Sequence, residues 1–206
     1  MQPSFTIVLA TRNPGKVAEM RDLLRGLGKR VRLVSADALD ASPDVEEDAP
    51  TLEGNARKKA MAFYRYTGRP ALADDTGLEV DALDGAPGVY TARFAGPDAT
   101  PADNNAKLLD ALGGKDSRRA RFRTVVAFVD ADGDVHTFEG VCEGRIAPAP
   151  RGSGGFGYDP VFVPEGETRT FAEMSPAEKN AISHRKQALH KFAAFLRARL
   201  GMEEAK

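Results

Sequence analysis

Two acids stand side by side in Ala73-Asp74-Asp75-Thr76-Gly77, at the end of a short run that reads as a buried strand. Successive strand side chains point to opposite faces, so one carboxylate can face a site while the other supports it. Carboxylates at strand ends suit Mg2+, a hard cation that takes oxygen donors and keeps waters and substrate phosphates in its shell. An ordinary turn is the competing reading of the segment. Glu46 and Glu47, in the acidic loop 41–50, can supply a further carboxylate or be plain solvated surface.

Three other segments carry chemistry. Thr11-Arg12-Asn13-Pro14-Gly15-Lys16 follows an apolar strand and opens a helix, which directs backbone N–H groups at one point beside a lysine. That arrangement suits a phosphate. It is not a P-loop, which needs Gly where Ala10 stands and Ser or Thr where Val17 stands. A plain strand–helix turn with a solvated lysine accounts for it equally well. In Gly152-Ser153-Gly154-Gly155-Phe156-Gly157-Tyr158-Asp159-Pro160, the glycines allow close backbone approach and Phe156 or Tyr158 offers a face to a base. The alternative is a flexible loop tip. Lys179, and His184-Arg185 after a capping Ser183, put cations near the start of a last helix. Positive charge there opposes the helix dipole unless an anion or carbonyl meets it. Taken alone, a His-Arg pair is more often a surface feature than a site.

The elements that must hold these segments are of α/β type. Residues 5–10 form an apolar strand; Val17, Met20, Leu23, Leu24 and Leu27 recur at helical spacing, Gly28 offers a stop, and residues 31–34 form a second strand. Thr51 caps a helix to Tyr66 with Leu52, Ala56, Ala60 and Phe63 on one face. Residues 71–74 are a strand that Asp75-Thr76-Gly77 breaks, with another strand at 78–82. Thr100-Pro101-Ala102-Asp103 is a capping box for a helix to Leu112, and residues 120–130 and 134–145 flank an Asp132-Gly133 turn as a hairpin. A short strand at 161–163, a second capping box at Ser175-Pro176-Ala177-Glu178 and an amphipathic helix through Leu189, Phe192, Ala193, Leu196 and Leu200 complete the chain. With no repeat or long linker, residues 1–206 read as one domain, with two lobes around a cleft.

The bulk composition narrows the function classes. Hydrophobic residues make up 42% of the 206 and charged residues 29%, which describes a globular chain rather than a disordered one. The 29 Lys and Arg against 30 Asp and Glu leave a net charge of -1, without the basic field of a nucleic-acid binder. A single cysteine, Cys142, excludes an internal disulfide and fits a reducing compartment. Inside an apparent strand it reads as an apolar filler rather than a nucleophile. Met1-Gln2-Pro3-Ser4 shows no charged signal-peptide start, and no apolar run approaches the ~20 residues of a membrane span. The expected location is the cytoplasm, with no membrane partner.

Taken together, LATRNPGK, ADDTGLEVDALDGAPGVYTARFAG, GSGGFGYDPVF and SPAEKNAISHR closely resemble the inosine-triphosphatase family, pyrophosphatases of non-standard purine nucleotides, over residues 7–196. The resemblance implies an elongated α/β fold with a mixed β-sheet, flanking helices and two lobes around a central cleft, assembled as a homodimer. It implies Mg2+-dependent hydrolysis of ITP, dITP and XTP to the monophosphate and pyrophosphate. Carried over residue by residue, Thr11, Asn13, Lys16 and Lys59 hold the triphosphate, with Arg93 adding charge. Asp75 is the proton acceptor and a metal ligand, Thr76 contacts substrate, and Glu46 is the second metal carboxylate, with Glu47 the alternative alignment. Phe156, Gly157, Tyr158 and Asp159 form the base pocket; Lys179, His184 and Arg185 complete it and read the 6-keto group. The departures are Arg12 at a variable place and Thr76 where serine is more frequent. A Maf-like pyrophosphatase of other modified nucleotides and a non-catalytic nucleotide sensor are the rival readings.

Overall fold

The structure is a computed structural model and describes residues 5–202; Met1 to Ser4, on which the signal-peptide expectation rests, lie outside the described residues. Its strands are β1 (Phe5–Leu9), β2 (Val31–Ser35), β3 (Ala71–Val80), β4 (Pro87–Gly88), β5 (Arg119–Val129), β6 (Val135–Ile146) and β7 (Phe162–Pro164). Its α-helices are α1 (Pro14–Leu23), α2 (Leu52–Thr67), α3 (Pro101–Ala111), α4 (Pro176–Ile182) and α5 (His184–Leu200). The strands form one seven-stranded sheet in the order β2-β1-β3-β5-β6-β7, with β4 on β3. β1 pairs in parallel with β2 and β3, whereas β4 on β3 and β7 on β6 are antiparallel. The fold is therefore mixed α/β.

Local chemistry sets the helix starts. Asn13 Oδ1 accepts the Lys16 N–H at 3.1 Å with Pro14 in the first turn of α1, and Thr51 Oγ1 accepts the Gly54 N–H at 3.0 Å to open α2. Thr100 with Asp103 and Ser175 with Glu178 close reciprocal capping boxes at α3 and α4. α1 ends at Leu23, before Gly28; a 3-10 turn at Arg25–Arg30 follows, in which Gly28 takes a φ of 64°.

Besides the earlier end of α1, the strand at Asp75 differs from its expectation. β3 is ten residues long and runs through Asp75-Thr76-Gly77 without a break. Turn-forming types do not force a turn when side-chain and ladder partners hold the chain extended. The Thr76 hydroxyl meets Thr124 of β5 at 2.6 Å, and the Leu78 N–H donates to Thr91 Oγ1 at 2.8 Å.

The chain divides into two compact units, and the division falls within β3, after Asp75. The first takes the residues up to Asp75, Val125–Glu139 and those from Lys186 on. Its core gathers Ile7, Leu9, Met20, Leu72, Phe128, Leu189, Phe192 and Leu196. Ala188, Leu189, Phe192, Ala193 and Leu196 recur on one face of α5, the spacing that buries a stripe. The second unit takes Thr76–Thr124 and Gly140–Arg185, around Leu78, Val80, Leu108, Phe122, Ile146, Phe162 and Phe171. Among the described residues no helix is long and apolar enough to cross a membrane.

Candidate active site

In the first unit, Asp75 is buried at the last position before the division. Lys59, on α2, donates to Asp75 Oδ1 at 3.2 Å and to Glu47 Oε1 at 3.0 Å. Asn55, one turn earlier on the same helix face, donates its amide to Asp75 Oδ2 at 3.2 Å. Lys16, in the first turn of α1, pairs with the neighbouring Asp74 at 3.2 Å. The adjacent acids of β3 thus meet two different lysines, as strand alternation requires.

The electrostatics of this cluster favour a general base. Burial pushes the Asp75 carboxyl up to about 6, against the pull of Lys59 and Lys16 and with the push of Glu47. Burial also acts to raise Glu47, but the Lys59 ammonium beside it wins, and Glu47 lies below its ordinary value. The two carboxyls interact as a hydrogen-bonded pair in which Asp75 keeps the proton longer. A carboxylate titrating near 6 is ionised at neutral pH yet basic enough to take a proton from water.

Glu47 is the acidic-loop carboxylate that reaches this cluster; Glu46 lies exposed beside it. Lys59 selects Glu47 by ion pairing, a contact across the chain that the run Glu46-Glu47 does not encode. Thr11 Oγ1 accepts the Asn13 N–H at 3.2 Å, so Thr11 and Asn13 both order the turn into α1. Arg12 donates to the Ser42 hydroxyl and carbonyl, at 2.8 Å and 2.9 Å, and ties the acidic loop to that turn.

The second unit assembles a cationic aromatic site. Asp159 Oδ2 accepts the Phe156 N–H at 2.7 Å and the Lys179 ammonium at 2.6 Å. The same ammonium lies 4.6 Å from the Phe156 ring centre, and the Arg185 guanidinium 5.7 Å from it. Both cations are almost completely buried. Arg185 also donates to the Thr76 hydroxyl at 3.1 Å, which Thr124 holds in turn. Gly157 takes a φ of 62°, and its carbonyl accepts the Asn105 amide at 3.1 Å. A side chain at Gly155 would strike the Asp159 carboxylate at 2.0 Å, so glycine there lets the loop fold over its own acid.

Three expected contributors take more structural places. Tyr158 is buried, donates its hydroxyl to the Thr91 carbonyl at 3.0 Å and belongs to the core of the second unit. His184 stacks on Phe122 with ring centres 4.6 Å apart. Arg93, on the 3-10 turn Thr91–Arg93, lies over Tyr90 at 5.2 Å. Asn104 brackets that turn, donating to the Ala92 carbonyl at 3.1 Å and accepting the Ala95 N–H at 2.7 Å.

Set against known proteins, the Ham1 family model matches residues 7–195. The chain belongs to the Ham1 family. It is 52% identical to a dITP/XTP pyrophosphatase of Desulforamulus reducens, over 90% of this chain and 92% of that one. It is 50% identical to a dITP/XTP pyrophosphatase of Porphyromonas gingivalis, over 92% and 96%. Among solved structures, a HAM1 protein from Coxiella burnetii superposes with a TM-score of 0.85 at 43% identity, covering 94% of this chain and 99% of that one.

Sequence reasoning passed over Asn55, Asn105 and Thr124, all buried polar side chains that hold site residues. A signal for the first was present: Asn55 and Lys59 share a helix face next to the apolar stripe. Thr124 sits in an apolar strand as the one small hydroxyl between Arg123 and Val125, without a local cue to its partner.

Proposed function

We propose that this Ham1 protein is a hydrolase that cleaves dITP, XTP and ITP to the nucleoside monophosphate and pyrophosphate, and so clears non-standard purines from the nucleotide pool. Asp75 carries the reading. It is a buried carboxylate pushed up to about 6, held by Lys59 and facing Glu47, in a chain half identical to proteins named dITP/XTP pyrophosphatases.

The residues of the first unit suit the phosphate chemistry. Lys16 and Lys59, with the positive end of the α1 dipole, offset the charge of a triphosphate. Asp75 takes the proton of the attacking water, and Lys59 and Asn55 fix the direction from which it does so. Asp75 and Glu47 fit a Mg2+ ion, since Mg2+ needs only one or two protein carboxylates when substrate phosphates and waters fill the rest of its shell. No group of three or more His, Cys, Asp or Glu placed for a metal occurs among the described residues. When bound, the ion would supply charge neutralisation at the phosphate oxygens.

The second unit suits the base. Phe156 gives a stacking face, and Lys179 and Arg185 are donors only, as a 6-keto oxygen requires. Adenine presents a 6-amino donor and would leave a buried cation unmatched, a contact whose loss separates substrates strongly.

Residues 1–206 act as one pyrophosphatase domain in this account, as a cytoplasmic homodimer that uses neither nucleic acid nor membrane. A net charge of -1 supports the exclusion of nucleic acid. Sedimentation at twice the 22.1 kDa chain mass would support the dimer, and a single chain mass would remove it. Incubation with Mg2+ and dITP, with products resolved by ion-exchange chromatography, tests the activity.

A further inference from the structure

Asn55 has no accessible surface, yet its side chain is polar and ends in two groups that each need a partner. Its amide nitrogen donates to Asp75 Oδ2 at 3.2 Å, and its Oδ1 accepts the Ala49 N–H at 2.9 Å. The first bond reaches the carboxylate assigned as the base. The second reaches the loop that carries Glu47, two residues before Ala49. A single rigid amide therefore touches both carboxylate-bearing segments.

We propose that Asn55 is a positioning residue that sets the orientation of the Asp75 carboxylate and the placement of the Glu47 loop together. The proposal rests on the pyrophosphatase reading above and deepens it. Lys59 occupies Asp75 Oδ1 and Asn55 occupies Oδ2, so one donor on each oxygen stops rotation of the carboxylate plane. The remaining lone pairs then point in one direction, which is what in-line attack demands of a base.

The anchor is itself rigid. Asn55 lies in the first turn of α2, where its N–H donates to the Thr51 carbonyl at 3.1 Å and Thr51 caps the helix. The loop is seated closely on that turn, since a Cβ on Gly54 would meet the Ala49 side chain at 2.8 Å. Asparagine is a poor helix former, and a leucine of similar size would fill the volume but leave the Ala49 N–H unmet.

Asn55→Asp and Asn55→Ala separate the two bonds. Asn55→Asp is isosteric and keeps the acceptor for Ala49 while replacing the donor to Asp75. The expected result is an Ala49 amide as slow to exchange as in the wild type. With dITP and Mg2+, kcat should fall about tenfold or more and KM change by less than about threefold. Asn55→Ala loses both bonds, so Ala49 exchange should also accelerate about tenfold or more. If Asn55→Ala fails to fold, Asn55→Asp carries the kinetic test alone, because a merely structural role would not separate kcat from KM. Wild-type kcat in Asn55→Asp, or wild-type Ala49 exchange in a folded Asn55→Ala, overturns the proposal. A wild-type chain that turns over no nucleotide removes the pyrophosphatase reading, and Ala49 exchange still decides whether Asn55 holds the loop.

Discussion

The Lys179 ammonium lies 2.6 Å from the Asp159 carboxylate, and both groups are almost fully buried. Removing one partner of such a pair strands the other charge without water, so Asp159→Ala should lower unfolding free energy by about 3–5 kcal/mol. The same carboxylate accepts the Phe156 N–H, so the loss should also loosen the base loop and raise KM for dITP. Urea unfolding and steady-state kinetics check both effects; unchanged stability would show that the pair is not a structural strut.

Arg185 joins Phe156 and the Thr76 hydroxyl, and its proposed role as a reader of the 6-keto group predicts a change in base choice rather than a uniform loss. Arg185→Ala should reduce the dITP-to-dATP ratio of kcat/KM by about tenfold or more. An unchanged ratio would remove that role.

The pH dependence follows from Asp75. Burial raises its carboxyl to about 6, and only the ionised form accepts a proton. In the free enzyme kcat/KM should therefore rise about tenfold per pH unit below 6 and level off above it. A profile that stays flat through 6 would contradict the assignment. Asp75→Asn should retain the fold and lower kcat by about 10²–10⁴.

Asp130 supplies a prediction about stability alone. Its Oδ2 meets His136 Nε2 at 2.9 Å and Arg199 at 2.8 Å, while Oδ1 accepts the N–H groups of Asp132 and Asp134 at 3.0 Å each. Burial opposes ionisation, but these donors win and hold the carboxyl below its ordinary value. A depressed folded pKa gives stability that is full above the unfolded value of 3.8 and is lost as pH falls through the folded one. Asp130→Ala should therefore lower Tm at pH 7, and the gap to wild type should narrow in acid.

What the sequence made legible was local. The caps at Thr51, Thr100 and Ser175 and the turn at Asp132-Gly133 follow from residue types acting on their own backbone. The strand through Asp75-Thr76-Gly77 was illegible because Thr124 and Thr91, which help hold it, lie far along the chain. The same limit explains Glu47 over Glu46 and the structural use of Tyr158. A motif names the residue types at a site, whereas long-range partners decide which of two neighbours reaches it. The shared face with Lys59 marked Asn55, but its two partners, Ala49 and Asp75, lie in other segments that this spacing does not name.

The central claim is the position of cleavage, and product identity with Mg2+ tests it most directly. Cleavage between the α- and β-phosphates gives dIMP and pyrophosphate from dITP, XMP and pyrophosphate from XTP, and little monophosphate is expected from dATP or dGTP. Release of dIDP and orthophosphate, or no turnover of either substrate, would contradict it.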